Sequence, residues 1–299
     1  MKYQIENESI IAEISAVGGE LKSLVCKEED REYMWSGNEE YWKETSPLLF
    51  PITGRLYEGV YRYRGKEYSM GLHGFARNKT FQIKQRSENR IVLFFADDEE
   101  TYKQYPFRFR LEVEYCLPQK KKEIQVKWIV YNDSVEKNMY FSIGGHPGFV
   151  YQVEDKKQNA VCLLDKQGST WVQRQEIETG LLGEDGLLTG EKEKVLVTSG
   201  RFSALDAIVK YKTVLIQDEQ VRGLALCDSN GNHYIKVMSD APVWGIWSVE
   251  DEKANYVCLE PWYGICDEYG YTGEFARRPY TMCIAPEEKW EGGYTICVV

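Results

Sequence analysis

No hydrophobic run in this chain exceeds six residues; the longest covers positions 91–96. A membrane-spanning helix needs about 20 apolar residues, so a transmembrane helix is excluded and no membrane partner is expected. The opening residues, Met1-Lys2-Tyr3-Gln4-Ile5-Glu6, lead into no apolar segment of the export-signal kind, and a cytoplasmic location is the expectation. Positive charge is also short. Against 47 acidic residues stand 37 basic ones, for a net charge of −10, and a field of that sign repels phosphate backbones and anionic lipid. Nucleic acid is therefore not an expected partner. Histidine occurs only three times, and none of the eight cysteines forms a C-x-x-C pair. Zinc sites favour close ligand pairs, so no metal is expected, and the cysteines read as reduced core thiols. Walker loops, G-x-G-x-x-G, G-x-S-x-G and H-E-x-x-H are all absent. No linker, low-complexity tract or fixed-period repeat interrupts the 299 residues, which read as one domain over 1–299.

What is present is a period of two. From Phe107 to Tyr115 every odd position is apolar and every even one charged, which puts one face in a core and the other in water. Ile124, Val126, Trp128 and Val130 repeat the pattern. Residues 60–64 and 66–70 flank Gly65 as a hairpin, and Asn230-Gly231 marks another between 224–228 and 234–238. The β-branched and aromatic tail, 294–299, reads as a final strand. Helical spacing is scarce, with a turn or two expected around 39–43 or 202–206, and the acidic patch 97–100 reads as a solvated turn. The fold class is all-β, a large sandwich or barrel with few short helices.

The chemistry-bearing residues stand out against this background. His146 lies in Gly144-Gly145-His146-Pro147-Gly148, a shaped loop at the end of an apolar strand, and His73 is also flanked by glycine. His233 follows Asn230-Gly231-Asn232 and reads as an exposed turn residue. Glu260 closes the run Tyr256-Val257-Cys258-Leu259 and precedes Pro261-Trp262. A desolvated carboxylate has a raised pKa and makes a useful general base; the alternative is a strand-end carboxylate held by an arginine. Asp206 is a weaker case of the same kind. Arg55, in a glycine turn, suits a forked hydrogen bond to ligand oxygens, and Trp244, Trp247 and Trp262 offer aromatic faces to a sugar ring or to the core.

Taken together and in order, these pieces resemble a known family. Gly18-Gly19-Glu20-Leu21, Tyr41-Trp42, Pro47-Leu48-Leu49-Phe50-Pro51, Gly54-Arg55-Leu56, His73-Gly74-Phe75-Ala76-Arg77-Asn78, Gly145-His146-Pro147-Gly148-Phe149, Gly245-Ile246-Trp247-Ser248 and Leu259-Glu260-Pro261-Trp262 span nearly the whole chain. The chain resembles the aldose 1-epimerase (galactose mutarotase-like) superfamily, most closely its LacX-like branch. The resemblance implies a large antiparallel β-sandwich with a sugar cleft on one sheet and an isomerase that needs no cofactor. It implies that Glu260 is the general base and His146 the general acid of hexose ring opening. Arg55, His73 and Asp206 would meet the substrate, and Trp247 would do so by its aromatic face. Arg77, in a stretch shared with the hexose-6-phosphate 1-epimerase branch, would meet a phosphate or form a salt bridge beneath the loop. A non-catalytic sugar-binding protein and a glycoside hydrolase or lyase are the other classes. Hydrolysis wants two carboxylates, whereas the strongest pair here is a carboxylate and a histidine. The expected partner is a hexose or hexose phosphate, bound by a monomer or weak homodimer.

Overall fold

The alternation at 107–115 becomes the strand Phe109–Cys116, with Phe109, Leu111, Val113 and Tyr115 buried and Arg110 and Glu114 half in water. Glu112 breaks the pattern: it is buried on the outer face because Lys84 reaches over it, Nζ to carboxylate 2.6 Å. A computed structural model describes residues 1–152, 159–251 and 253–299. In it this strand belongs to a nine-stranded antiparallel sheet in the order Arg201–Ser203, Ala160–Leu164, Gly223–Cys227, His233–Met238, Lys289–Val298, Glu123–Asn132, Phe109–Cys116, Arg90–Ala96, Gln82–Arg86.

A second antiparallel sheet runs Leu188–Leu196, Glu176–Leu182, Thr213–Ile216, Val243–Trp247, Tyr256–Tyr263, Ile143–Gly145, Leu48–Leu49, and Gly148–Val150 also pairs with Tyr256–Tyr263. The inner faces meet in one core. Trp128 and Ile296 from the first sheet join Trp244, Ile246, Val257 and Leu259 from the second. The Trp128 ring lies 5.3 Å from Tyr294 and edge-on to Tyr263 of the facing sheet at 6.5 Å. This is a large antiparallel β-sandwich, the arrangement that buries one face of each sheet. The N-terminal strands Lys2–Glu6, Ile10–Ser15, Leu21–Cys26 and Arg31–Glu32 form a separate four-stranded sheet. The hairpins around Gly65 and Asn230-Gly231 and the terminal strand form as read.

Three local readings need correction. The acidic patch 97–100 is more than a turn: Asp98 accepts the Thr101 N–H at 2.6 Å and starts helix α1, Glu99–Gln104. That Asp-x-x-Thr spacing is a capping box, and it was the available signal. The expectation of a turn or two is met at both places, by a turn within 39–43 and by α2, Ala204–Tyr211, capped by Ser203. Cys162 and Cys227, on adjacent strands, are joined by a disulfide, while Cys26, Cys258 and Cys266 are buried free thiols. His233 is half-buried and hydrogen-bonds to Thr170 at 2.7 Å, so it is not an exposed turn residue. Among the described residues no helix is long and apolar enough to cross a membrane.

Because Trp128 joins the two sheets at 1% exposure, Trp128→Ala leaves a cavity that cannot collapse. Urea denaturation should show a loss of about 3–5 kcal/mol.

Candidate functional site

The strand Tyr256–Tyr263 is buried on both faces, which is why it reads as an apolar run and not as an alternation. Val257 and Leu259 point into the core between the sheets. Residues of the other parity, Cys258, Glu260 and Trp262, point to the outer face, where loops cover them. The neighbouring strand Val243–Trp247 follows the same rule. Trp244 belongs to the inner core and Trp247 to the outer face, so only one of these two tryptophans reaches the site. Gly245 pairs with Glu260, and a Cβ there would lie 3.3 Å from the Glu260 Cβ and Cδ. Its missing side chain is the space the carboxylate occupies.

The outer face holds a cavity of about 370 Å³, with Glu260, His146, His73, Arg55, Arg77, Trp42 and Trp247 in its wall. His146 leaves the strand Ile143–Gly145 and turns at Pro147, bringing Nε2 to 3.2 Å from Glu260 Oε2. The two are not aligned as a hydrogen bond. Glu260 Oε2 and His146 Nδ1 are buried without a protein hydrogen-bond partner, so both are available to a ligand. Aromatic rings surround the imidazole, Trp42 at 4.9 Å, Trp247 at 5.5 Å and the His73 ring at 5.6 Å between centroids. Burial raises the Glu260 carboxyl well above its ordinary range, and the Trp262 indole, which favours the anion, does not offset it. Burial also lowers His146 well below the ordinary imidazole value, helped by the Arg77 charge.

His73 is held by two reciprocal bonds with Gly54. Its N–H donates to the Gly54 carbonyl at 2.9 Å, and its Nδ1 accepts the Gly54 N–H at 3.0 Å. An acceptor Nδ1 leaves the ring proton on Nε2, so neutral His73 is a hydrogen-bond donor at its other nitrogen. Burial lowers its pKa, and the neighbouring His146, Arg77 and Arg55 lower it further. Gly54 sits at φ +70°, and any side chain there would collide with Cys266. The close backbone approach that orients His73 requires glycine.

Of the two expectations for Arg77, the salt bridge is the one that forms. It lines the cavity, and it pairs with Glu44 at 3.1 Å and donates to the Leu72 carbonyl at 3.0 Å, tying the loop of His73 to that of Trp42. Arg55 is exposed at the cavity wall and makes no ion pair among the described residues. Asp206 is not brought here. It lies exposed in the first turn of α2, outside the cavity wall, because Ser203 caps that helix and turns Asp206 to solvent.

Sequence reasoning missed the support beneath Arg55. Asp267 accepts from Arg278 Nε at 2.6 Å and from the Tyr57 N–H at 2.9 Å, while its own N–H donates to the Arg55 carbonyl at 2.8 Å. Neither Asp267 nor Arg278 sits in a pattern that announces burial, yet their side chains are 4% and 2% exposed. Cys258 was also missed as a neighbour of the site. Its Sγ, an imidazole nitrogen of His146 and a Glu260 oxygen lie within 4.8 Å of one another, the donor types a metal could take.

The family model for aldose 1-epimerase matches residues 1–289. The chain is 28% identical over 308 aligned positions, covering all of both proteins, to the chromosomal LacX protein of Lactococcus lactis subsp. lactis. Among solved structures it is similar to the galactose mutarotase related enzyme of Lactobacillus acidophilus, with a TM-score of 0.88, 31% identity, and coverage of 100% of this chain and 97% of that one. It is similar also to a galactose mutarotase-like protein of Lactobacillus casei, with a TM-score of 0.90, 25% identity and full coverage of both.

Two stability outcomes follow from this geometry. Asp267→Ala strands a buried guanidinium and should lower unfolding free energy by about 3–5 kcal/mol in urea. Glu260→Gln should do the opposite. With the native carboxyl raised, the unfolded chain gives up its proton first once pH exceeds about 4.3, so ionisation pulls the wild type toward unfolding as pH rises. The amide cannot ionise, and its advantage over wild type should grow from pH 4 to pH 8. A constant or shrinking difference would contradict the raised carboxyl.

Proposed function

The chain belongs to the aldose 1-epimerase family and is an isomerase acting on carbohydrates; from that premise we propose that it interconverts the α and β anomers of a hexose by opening and reclosing the pyranose ring. The observation that carries this reading is the Glu260–His146 pair, 3.2 Å apart, buried, and with unpartnered polar atoms on both residues. Glu260 as carboxylate takes the proton of the C1 hydroxyl while His146 gives a proton to the ring oxygen. The C1–O5 bond breaks and leaves an open-chain aldehyde with a free O5 hydroxyl. Rotation about C1–C2 presents the other carbonyl face. O5 then attacks, returning its proton to His146, and Glu260 protonates the former carbonyl oxygen.

The pair works with one proton between its two members. Burial disfavours charge on both, so at rest the proton sits on the carboxyl, and passing it to the imidazole gives the acid and base their working forms. No proton enters or leaves in that transfer. The rate should therefore be flat with pH until the pair loses its single proton on the alkaline side or gains a second on the acid side. His73 would donate from Nε2 to a sugar hydroxyl, and the Trp42 and Trp247 rings would cover the apolar face of the pyranose.

A second reading keeps the chemistry and changes the sugar. The unpaired guanidinium of Arg55, with Arg77 in the same wall, favours a hexose phosphate over a free hexose. Anomer exchange measured by NMR or polarimetry on glucose, galactose and glucose 6-phosphate decides between them. Glu260→Gln should lower kcat about 10²–10⁴-fold, as expected for a lost general base. Arg55→Met should cost the phosphate substrate more than the free sugars if the second reading holds. Sugar binding without turnover on any of them would instead favour a recognition protein.

A further inference from the structure

Cys258 has no part in the ring-opening reaction, yet it lies beside both of the groups that do. It precedes Glu260 by two residues on one strand, so the two side chains share a face, and Gly148 pairs with it directly across from the His146 turn. The result is a sulfur, a nitrogen and an oxygen donor, all buried and all within 4.8 Å of one another. Two further facts point to a ligand at this place. Glu260 Oε2, which His146 Nε2 approaches to 3.2 Å, lacks a protein hydrogen-bond partner, and Glu260 and His146 open onto the cavity.

We propose that His146, Cys258 and Glu260 form a binding site for a thiophilic divalent cation of the zinc class, and that the cation competes with the sugar and switches the enzyme off. The donor set matches an open zinc site, with three protein ligands and a fourth position facing the cavity. Bond lengths near 2.0–2.3 Å put tetrahedral donors roughly 3.5 Å apart, so closing on the cation takes a shift of about 1 Å. Charge favours the same occupant: a divalent cation with one thiolate and one carboxylate sums to zero in a site where unbalanced charge is costly. Magnesium and calcium prefer all-oxygen shells and do not fit. Binding forms metal–sulfur, metal–nitrogen and metal–oxygen bonds and releases two protons to solvent, one from the thiol and one from the Glu260–His146 pair. No electron is transferred.

The competition with sugar rests on the proposed function; cation binding does not, and the experiment separates them. The full-length protein is titrated with cobalt(II), which reports thiolate ligation by its charge-transfer absorption. We expect that band in the wild type and in Cys283→Ser, which removes an exposed thiol, its loss on adding zinc, and its absence in Cys258→Ser. Cys258→Ala replaces that variant if the serine does not fold. On a sugar that the wild type turns over, zinc should inhibit competitively. The Cys258 variant should keep its activity and need at least about 10-fold more zinc, the loss that even an outer partner of a metal ligand brings. A band that survives removal of Cys258, no band in the wild type, or zinc inhibition unchanged by the variant would overturn the proposal. Turnover on no sugar would fail the proposed function alone, since the cobalt titration still decides the site.

Discussion

Everything at the site depends on a carboxyl group buried without a cation to balance it. Glu260 is 1% exposed, and 3.2 Å from it lies a histidine that burial keeps neutral. Such a group persists only where the surrounding strands hold it in place, and here they do. The strand carrying it is covered on both faces, paired on one side to Val243–Trp247 and on the other to Ile143–Gly145 and Gly148–Val150. The sandwich core supplies the stability against which one uncomfortable carboxyl is maintained, and burial raises the proton affinity of that carboxyl.

The loops around the cavity carry the complementary polar order. Each polar group of the cavity wall is fixed by a bond made behind it: His73 by the Gly54 amide, Arg77 by Glu44, and the Arg55 backbone by Asp267, itself locked to Arg278. These ties join loops that are distant in the chain. They orient donors toward the cavity in advance, so a ligand meets them without reordering the loops. The Glu44–Arg77 ion pair lies at the cavity wall, where Glu44 is neutralised by its partner.

The strands were legible because a sheet with one wet face writes its period into the sequence. Phe109–Cys116 and Glu123–Asn132 alternate as such strands should, and both hairpins announce their turns. The helix α1 was legible in principle through Asp98-x-x-Thr101. Strands covered on both faces are different. In Tyr256–Tyr263 and Val243–Trp247 every position is apolar or constrained, so the pattern cannot say which residues face the core and which the cavity. That is why Trp244 and Trp247 looked alike and Cys258 looked like any core thiol.

By itself the sequence determined the all-β architecture, two alternating strands, two hairpins and the final strand, and the unusual settings of Glu260, His146 and His73, since each is a property of neighbours along the chain. Only the tertiary structure decided that Glu260 and His146 meet at 3.2 Å, that Cys258 joins them, that Asp267 and Arg278 brace Arg55, and that Asp206 stays in solvent. Contacts of that kind depend on strand register and on which loops close over the outer face of a sheet. Pairing and packing between distant segments set both, and local periodicity carries no record of them.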